Sequence, residues 1–162
     1  MLKFGEASQK AVDVLTQQGF FHAAKQSEFP TMPRELTELD GEELSHLFSS
    51  LTAWSNYIAT QLSAAQIDER AAEKALDSAS ARIMVTRMGQ KTTGERITAI
   101  KAEVAIDPKI LGLADKVEEV YAYRKMIEVM FYNLERDSAL VSREITRRSS
   151  DFRAMRKDKF SS

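Results

Sequence analysis

An apolar stripe running from Leu113 to Phe152 constrains the fold of this chain more than any other feature of its sequence. Its positions are spaced alternately four and three residues apart over five heptads, and nine of the twelve positions are apolar. This spacing keeps one face of an α-helix turned towards partner helices, as in a coiled coil. We therefore predict a long final helix that starts at Pro108, after Asp107 as its N-cap, and runs to about Met155.

A second apolar stripe predicts another long helix over residues 41–88. Leucine, isoleucine and then alanine recur every seven residues from Leu44 to Ala79, and no proline interrupts the segment. Asp40 followed by Glu43 forms a capping-box pattern at its start. The alanine-rich second half would allow close approach of a neighbouring helix.

Shorter elements surround the two long ones. The segment from Ala7 to Lys25 predicts a short helix interrupted at Gly19, and Ser27–Leu39, with two prolines, reads as an extended connector. Another short helix is expected to carry Ile97, Ile100 and Val104 on one side. The predicted fold is all-α: an antiparallel hairpin of long helices, packed as a coiled-coil-like bundle, with one short helix at its tip and one at its N-terminus.

We predict three segments along the chain. Residues 1–39 form the N-terminal helix and connector, residues 40–156 the long-helix hairpin domain, and residues 157–162 a basic and polar tail. A chain of 162 residues suits one domain with a real core. No apolar run reaches the roughly 18 residues needed to span a membrane. The N-terminus also lacks a signal-peptide pattern, so we expect a cytoplasmic protein without membrane contact.

The residues offer no catalytic constellation. Cysteine is absent, which excludes disulfides, thiolate zinc sites and thiol nucleophiles. Glu43 and His46 have the Glu-x-x-His spacing of helical di-iron proteins, but no second copy exists on another helix. The Gly89–Gly94 turn lacks the ending of a phosphate-binding loop. We therefore expect no enzyme, no metal and no cofactor.

The charges are distributed unevenly, although the net charge is only -1. Residues 28–80 are net negative, whereas residues 143–159 are net positive, and in an antiparallel hairpin Glu35–Glu43 would face Arg147–Arg156. The basic cluster at residues 143–159 either pairs with the acidic residues of Glu35–Glu43 or binds a nucleic acid. Residues 82–101 carry a second basic cluster, in which Glu95 is the only acid. No acidic block is available to pair with this cluster. Its members are Arg82, Arg87, Lys91, Arg96 and Lys101.

That central cluster is either a solvated tip or an anion-binding tip. Concentrations of lysine and arginine bind polyanion backbones through counterion release. Trp54 and Phe131 lie on the stripes and are expected in the core, whereas Tyr121, Tyr123 and Tyr132 either cover the edges of a helix interface or stack on bases. We expect the stripe of the final helix to pack partly within the subunit and partly against an oligomer or partner surface. The positions are Leu113, Val117, Val120, Ile127, Phe131, Leu134, Val141 and Ile145.

The order of elements over roughly residues 40–150 resembles that of a known family. A long helix closes on Ala81-Arg82-Ile83-Met84, a short helix precedes Ile106-Asp107-Pro108-Lys109-Ile110-Leu111, and the last helix contains Ser142-Arg143-Glu144. This pattern is similar to the UvsY-type recombination mediators of tailed phages. The first 39 residues and the basic tail have no counterpart in that pattern, and the last long helix lacks lysines near its middle.

The resemblance implies a small helical protein that forms ring-like oligomers and binds single-stranded DNA. Its protein partners would be a recombinase or a single-stranded-DNA-binding protein, and a phage-encoded chain would act in the host cytoplasm. The DNA-contacting residues carried over from the family are Arg82 and Arg87, whereas Lys91, Arg96 and Lys101 follow from the charge pattern alone. The alternative is a non-enzymatic helical adaptor or assembly protein whose apolar stripes bind another protein.

Overall fold

The computed structural model describes the backbone of residues 5–90 and 97–159, and the side chains of residues 5–89 and 97–153. No strand occurs within these ranges, which confirms the all-α prediction. The two long helices pack against each other, as Ser55–Glu135 and Glu69–Arg124 contacts show. The elements are α1 (Glu6–Gln17), α2 (Gly41–Gln90), α3 (Ile97–Ala105) and α4 (Pro108–Lys159), with a 3-10 turn at Leu36–Glu38.

The helix starts follow the predicted caps. Asp40 Oδ1 accepts a hydrogen bond from the amide of Glu43, and Glu43 Oε2 accepts one from the amide of Asp40, each at 2.8 Å. Asp107 Oδ1 accepts from the amide of Lys109 at 2.9 Å, with Pro108 as the first residue of α4. These bonds satisfy amides that have no partner within the helix.

Contacts within the chain divide it into two compact units. Unit 1 comprises Met1–Phe21 and Leu62–Met126, and unit 2 comprises His22–Gln61 and Ile127–Ser162. Each unit therefore contains part of α2 and part of α4. The predicted N-terminal segment, residues 1–39, contributes α1 to unit 1 and the connector to unit 2.

The core of unit 1 lies where α3 and the start of α4 meet the end of α2. Ile100, Val104 and Ile110 are buried there, and they pack against partly buried side chains of α2: Leu76, Ala79, Ile83 and Met84. Ile97, which we expected on the same side of α3, is instead 57% exposed. Ile97, the first residue of α3, is therefore not part of this core.

A carboxylate of α2 caps the start of α1. Asp68 accepts hydrogen bonds from the amides of Gly5 and Ser8 and from the Ser8 hydroxyl. A side chain from another helix thus performs the role of an N-cap for α1. α1 ends at Gln17, and Gly19 then adopts a positive φ of 85°, so the predicted break at this glycine is confirmed. The helix does not resume after the glycine, so its predicted extent to Lys25 is wrong.

The core of unit 2 is formed by the two apolar stripes. The buried side chains of α2 are Leu44, Leu51, Trp54 and Ile58, and those of α4 are Ile127, Leu134 and Val141. Trp54 is buried as predicted, and its indole Nε1 donates to the backbone carbonyl of Glu28. Phe29 packs edge-on against the same indole, with ring centroids 5.0 Å apart. The connector is thereby held on α2.

Arg148 fixes the other end of the connector. Its guanidinium donates to the carbonyl oxygens of Leu36, Thr37 and Leu39 at 2.7–3.1 Å. The antiparallel pairing brings this part of α4 next to the start of α2, as predicted, but the arginine binds backbone carbonyls and not the carboxylates we expected. The described ion pairs of Arg147 and Arg148 are with Glu144 and Asp151 of α4 itself.

Candidate functional site

Three of the five predicted DNA-binding residues lie on one part of unit 1, which we call the basic tip: Arg82 and Arg87 on α2, and Lys101 on α3. All three side chains are exposed. α3 folds back onto the end of α2 through the packing of Ile100 and Val104, so the same core positions all three cations. The predicted residues Lys91 and Arg96 lie outside the described residues.

One carboxylate partly neutralises the basic tip. Glu103 Oε2 lies 3.8 Å from Arg87 Nη1, with both side chains more than one-third exposed. We expected no acidic block beside this cluster. The acid beside Arg87 is a single residue, Glu103, which α3 brings there by packing back along α2. An exposed pair of this kind contributes about 0–1 kcal/mol, so a phosphate group can compete for the arginine.

The cations of α2 do not form a single flat patch. Arg82 and Arg87 are five residues apart, which places them about 140° apart around an α-helix. Between them, Ile83 and Met84 pack on the core, whereas Val85 is 69% exposed. Met88, which follows Arg87, is 46% exposed. The basic tip therefore combines positive charge on more than one side with exposed apolar surface.

The predicted oligomer or partner interface on α4 falls into two groups. Ile127, Leu134 and Val141 are at most 4% exposed within the chain, where they already form the core of unit 2. The other five positions retain partial exposure and remain candidates for contact with a partner: Leu113, Val117, Val120, Phe131 and Ile145. Phe131, expected in the core, is thus half-buried.

Sequence reasoning missed several exposed apolar side chains. Phe20 and Phe21, which follow α1, are 64% and 82% exposed, and Met126 on α4 is 69% exposed. These residues lie off the heptad positions or outside the long helices. The heptad spacing of apolar residues therefore does not identify them.

The tyrosines of α4 remain partly accessible. Tyr121 is 43% exposed and has the Arg124 guanidinium 5.2 Å and the Lys125 ammonium 6.0 Å from its ring centroid. Tyr132 is 62% exposed, and its ring centroid lies 5.9 Å from that of Phe131. Both cations approach the same ring, and Arg124 is also paired with Glu69.

Within the described residues, no three His, Asp or Glu side chains are grouped to hold a metal ion. Glu43, half of the Glu-x-x-His pair, is engaged in capping α2. The helices, as far as the structure describes them, include none that is long and apolar enough to cross a membrane.

Comparison of the chain with protein-family models, with curated proteins and with solved structures gives no match. The assignment of a function therefore depends on the residues and geometry above.

Proposed function

We propose that this protein is a non-enzymatic, single-stranded-DNA-binding accessory protein that works as a homo-oligomer, in the manner of a phage recombination mediator. The observation that supports this proposal is the exposure of Arg82, Arg87 and Lys101 on the basic tip. The resemblance of the element order to the UvsY-type family selects the same stretch of α2.

The proposed contacts are to the phosphate backbone and not to base edges. Exposed arginine and lysine side chains on a helix end can track a flexible strand from several sides, and such contacts carry no sequence information. The exposed apolar side chains Val85 and Met88 would lie against bases or sugars of the same strand. The contribution of each subunit would be small, and several linked tips would multiply it through effective concentration.

Fluorescence anisotropy with labelled oligo-dT tests this proposal. The expected result is binding at low salt that weakens steadily as the salt concentration rises, because each phosphate contact releases condensed counterions. Duplex DNA of the same length serves as the comparison for strand preference. Absence of oligo-dT binding at low salt would contradict the proposal.

The alternative is a helical adaptor or assembly protein that binds another protein. The exposed apolar side chains of Phe20, Phe21 and Met126 favour this alternative, since large apolar groups on a surface often mark a protein interface. It predicts a discrete protein partner and no salt-dependent affinity for DNA. The anisotropy experiment therefore separates the two functions.

A further inference from the structure

A groove of about 610 Å³ in unit 2 lies between the connector and the first turns of α2. Its apolar lining residues are Phe29, Pro30, Pro33, Leu39 and Leu47. Its lining carboxylates are Glu28, Asp40, Glu42 and Glu43, and no lysine or arginine is among the described residues that line it. We call this feature the acidic groove. Its composition favours an occupant that is both cationic and apolar.

The walls of the acidic groove are fixed before anything binds. Asp40 and Glu43 are held by the capping box at the start of α2. The backbone carbonyl of Glu28 accepts from the Trp54 indole, and the Phe29 ring packs on that indole. Arg148 holds the carbonyl of Leu39. A preformed groove loses little conformational entropy when it is filled.

The basic tip has the complementary chemistry. Arg82 and Lys101 are exposed there, and Val85 and Met88 expose 69% and 46% of their surface beside them. The tip therefore matches the acidic groove in both respects, since it offers cations to the carboxylates and apolar side chains to the apolar lining. Complementary charge steers such contacts and selects their partners.

We propose that the acidic groove binds the basic tip of a second copy of this chain. Such a contact joins two different surfaces, so it is head-to-tail, and its repetition produces a closed ring or an open filament. The inference rests on the homo-oligomer of the proposed function and names a surface for it. Because this contact uses the same Arg82, Lys101, Val85 and Met88 that the proposed function assigns to DNA, the groove of a neighbour and a DNA strand compete for each tip. That surface is distinct from the apolar stripe of α4.

Charge reversal on the two surfaces tests the contact, with mass measured by light scattering in the absence of DNA. Glu28→Lys with Glu42→Lys reverses the groove without touching the capping box, and Arg82→Glu with Lys101→Glu reverses the tip. We expect the wild type to self-associate at low salt and each double variant to be monomeric. An equimolar mixture of the two variants should assemble again, because reversed groove and reversed tip are complementary.

Asp115→Lys with Glu118→Lys is the matched control for the groove variant. Both residues are exposed on α4, and the change in net charge is the same. The control should keep the wild-type mass, and circular dichroism should show wild-type helix content in every variant. If the mixture of the two variants assembles, both variants must be folded.

The contact is refuted by a wild type that stays monomeric at all concentrations. It is equally refuted by a groove variant that keeps the wild-type mass, or by two folded variants that stay monomeric when mixed. Oligo-dT binding is measured separately on the same proteins. Suppose that each double variant is monomeric and their mixture assembles, but the wild type does not bind oligo-dT. That result would support this contact and contradict the proposed function.

Discussion

Ser8 and Asp68, 60 residues apart in sequence, are joined by a hydrogen bond in which Ser8 Oγ donates to Asp68 Oδ2 at 2.7 Å. The amides of Gly5 and Ser8 donate to the same carboxylate at 2.9 and 3.0 Å. Only 1% of the Ser8 surface is exposed, whereas Val14 and Leu15 of the same helix are half exposed. Asp68 therefore joins the start of α1 to α2 through three hydrogen bonds.

Replacing Asp68 by alanine should release α1. Loss of an N-cap costs about 0.5–2 kcal/mol, so we expect the free energy of unfolding to fall by about 2 kcal/mol, because three donors lose their acceptor. Urea unfolding and amide hydrogen exchange of α1 measure the effect. Asp77→Ala, at an exposed position of α2, is the control and should change stability by less than about 0.5 kcal/mol. Equal stabilities of the two variants would contradict the capping role.

Gly5→Ala should destabilise the protein for a steric reason. A Cβ at this position would lie 2.5–2.6 Å from the carboxylate atoms of Asp68, whereas nothing lies within 4 Å of a Cβ at Gly41. The carboxylate can move away from a Cβ only by giving up its hydrogen bonds to the amides of Gly5 and Ser8, so we expect Gly5→Ala to cost about 1 kcal/mol in thermal or urea unfolding. Gly41→Ala should be neutral or stabilising by up to about 1 kcal/mol.

A double-mutant cycle separates the clash from other effects. In Gly5→Ala with Asp68→Ala the carboxylate is gone, so the combined cost should be smaller than the sum of the single costs. Additive costs would show that the two residues act independently.

Arg148→Ala should loosen the connector. Three carbonyls of residues 36–39 lose a charged donor, and hydrogen bonds to charged groups contribute about 1.5–3 kcal/mol each when measured by removal. Because the side chain is partly exposed, we expect a total loss of about 2 kcal/mol. Hydrogen exchange at residues 36–40 and urea unfolding measure it.

Arg147→Ala is the matched control for that change. Arg147 lies on the same turn, is 55% exposed and pairs only with Glu144 and Asp151 in the described ion pairs. Its removal should cost less than about 1 kcal/mol. Arg148→Lys is expected to recover only part of the loss, since one ammonium cannot replace the planar fork that reaches all three carbonyls.

Glu144 should make the stability of the folded protein fall at acidic pH. Hydrogen bonds from Arg147 and then Arg148 lower the pKa of Glu144 from 4.5 to about 2. Because the folded-state pKa is the lower one, the carboxylate stabilises the folded state fully above pH 4.5, and this contribution is lost as the pH falls towards 2. Melting temperatures across this range should fall more steeply for the wild type than for Glu144→Gln. Glu118→Gln, on the exposed side of α4, should follow the wild type.

Local patterns in the sequence predicted most of the helical framework. Capping residues act within three positions of their helix, so Asp40, Glu43 and Asp107 could be identified from spacing alone. The periodic stripes likewise predicted the buried faces of α2 and α4, because burial repeats with the helical period. The exposure of Ile97 was missed, since the pattern does not show where a neighbouring helix ends.

The polar members of the α4 stripe could not be interpreted from the sequence. Arg124 binds Glu69, whose carboxylate it contacts through two nitrogens, and Arg148 binds the connector. Ser138 has a buried hydroxyl oxygen without a hydrogen-bond partner among the described residues. The partners of both arginines are at least 55 residues away, so only the packed helices identify them. The pairing of Glu103 with Arg87 was missed for a similar reason.

The affinity of tip variants for oligo-dT is the sharpest test of DNA binding by the basic tip. Anisotropy titrations over a series of salt concentrations would compare Arg82→Ala with Arg87→Ala against Arg136→Ala with Arg143→Ala, which removes two exposed arginines of α4 in unit 2. We expect the tip variant to bind more weakly and its salt slope to fall by about 0.7 for each phosphate that the protein no longer neutralises. The control should keep the wild-type affinity and slope. A tip variant that binds oligo-dT as the wild type does would show that the basic tip is not the DNA-binding surface.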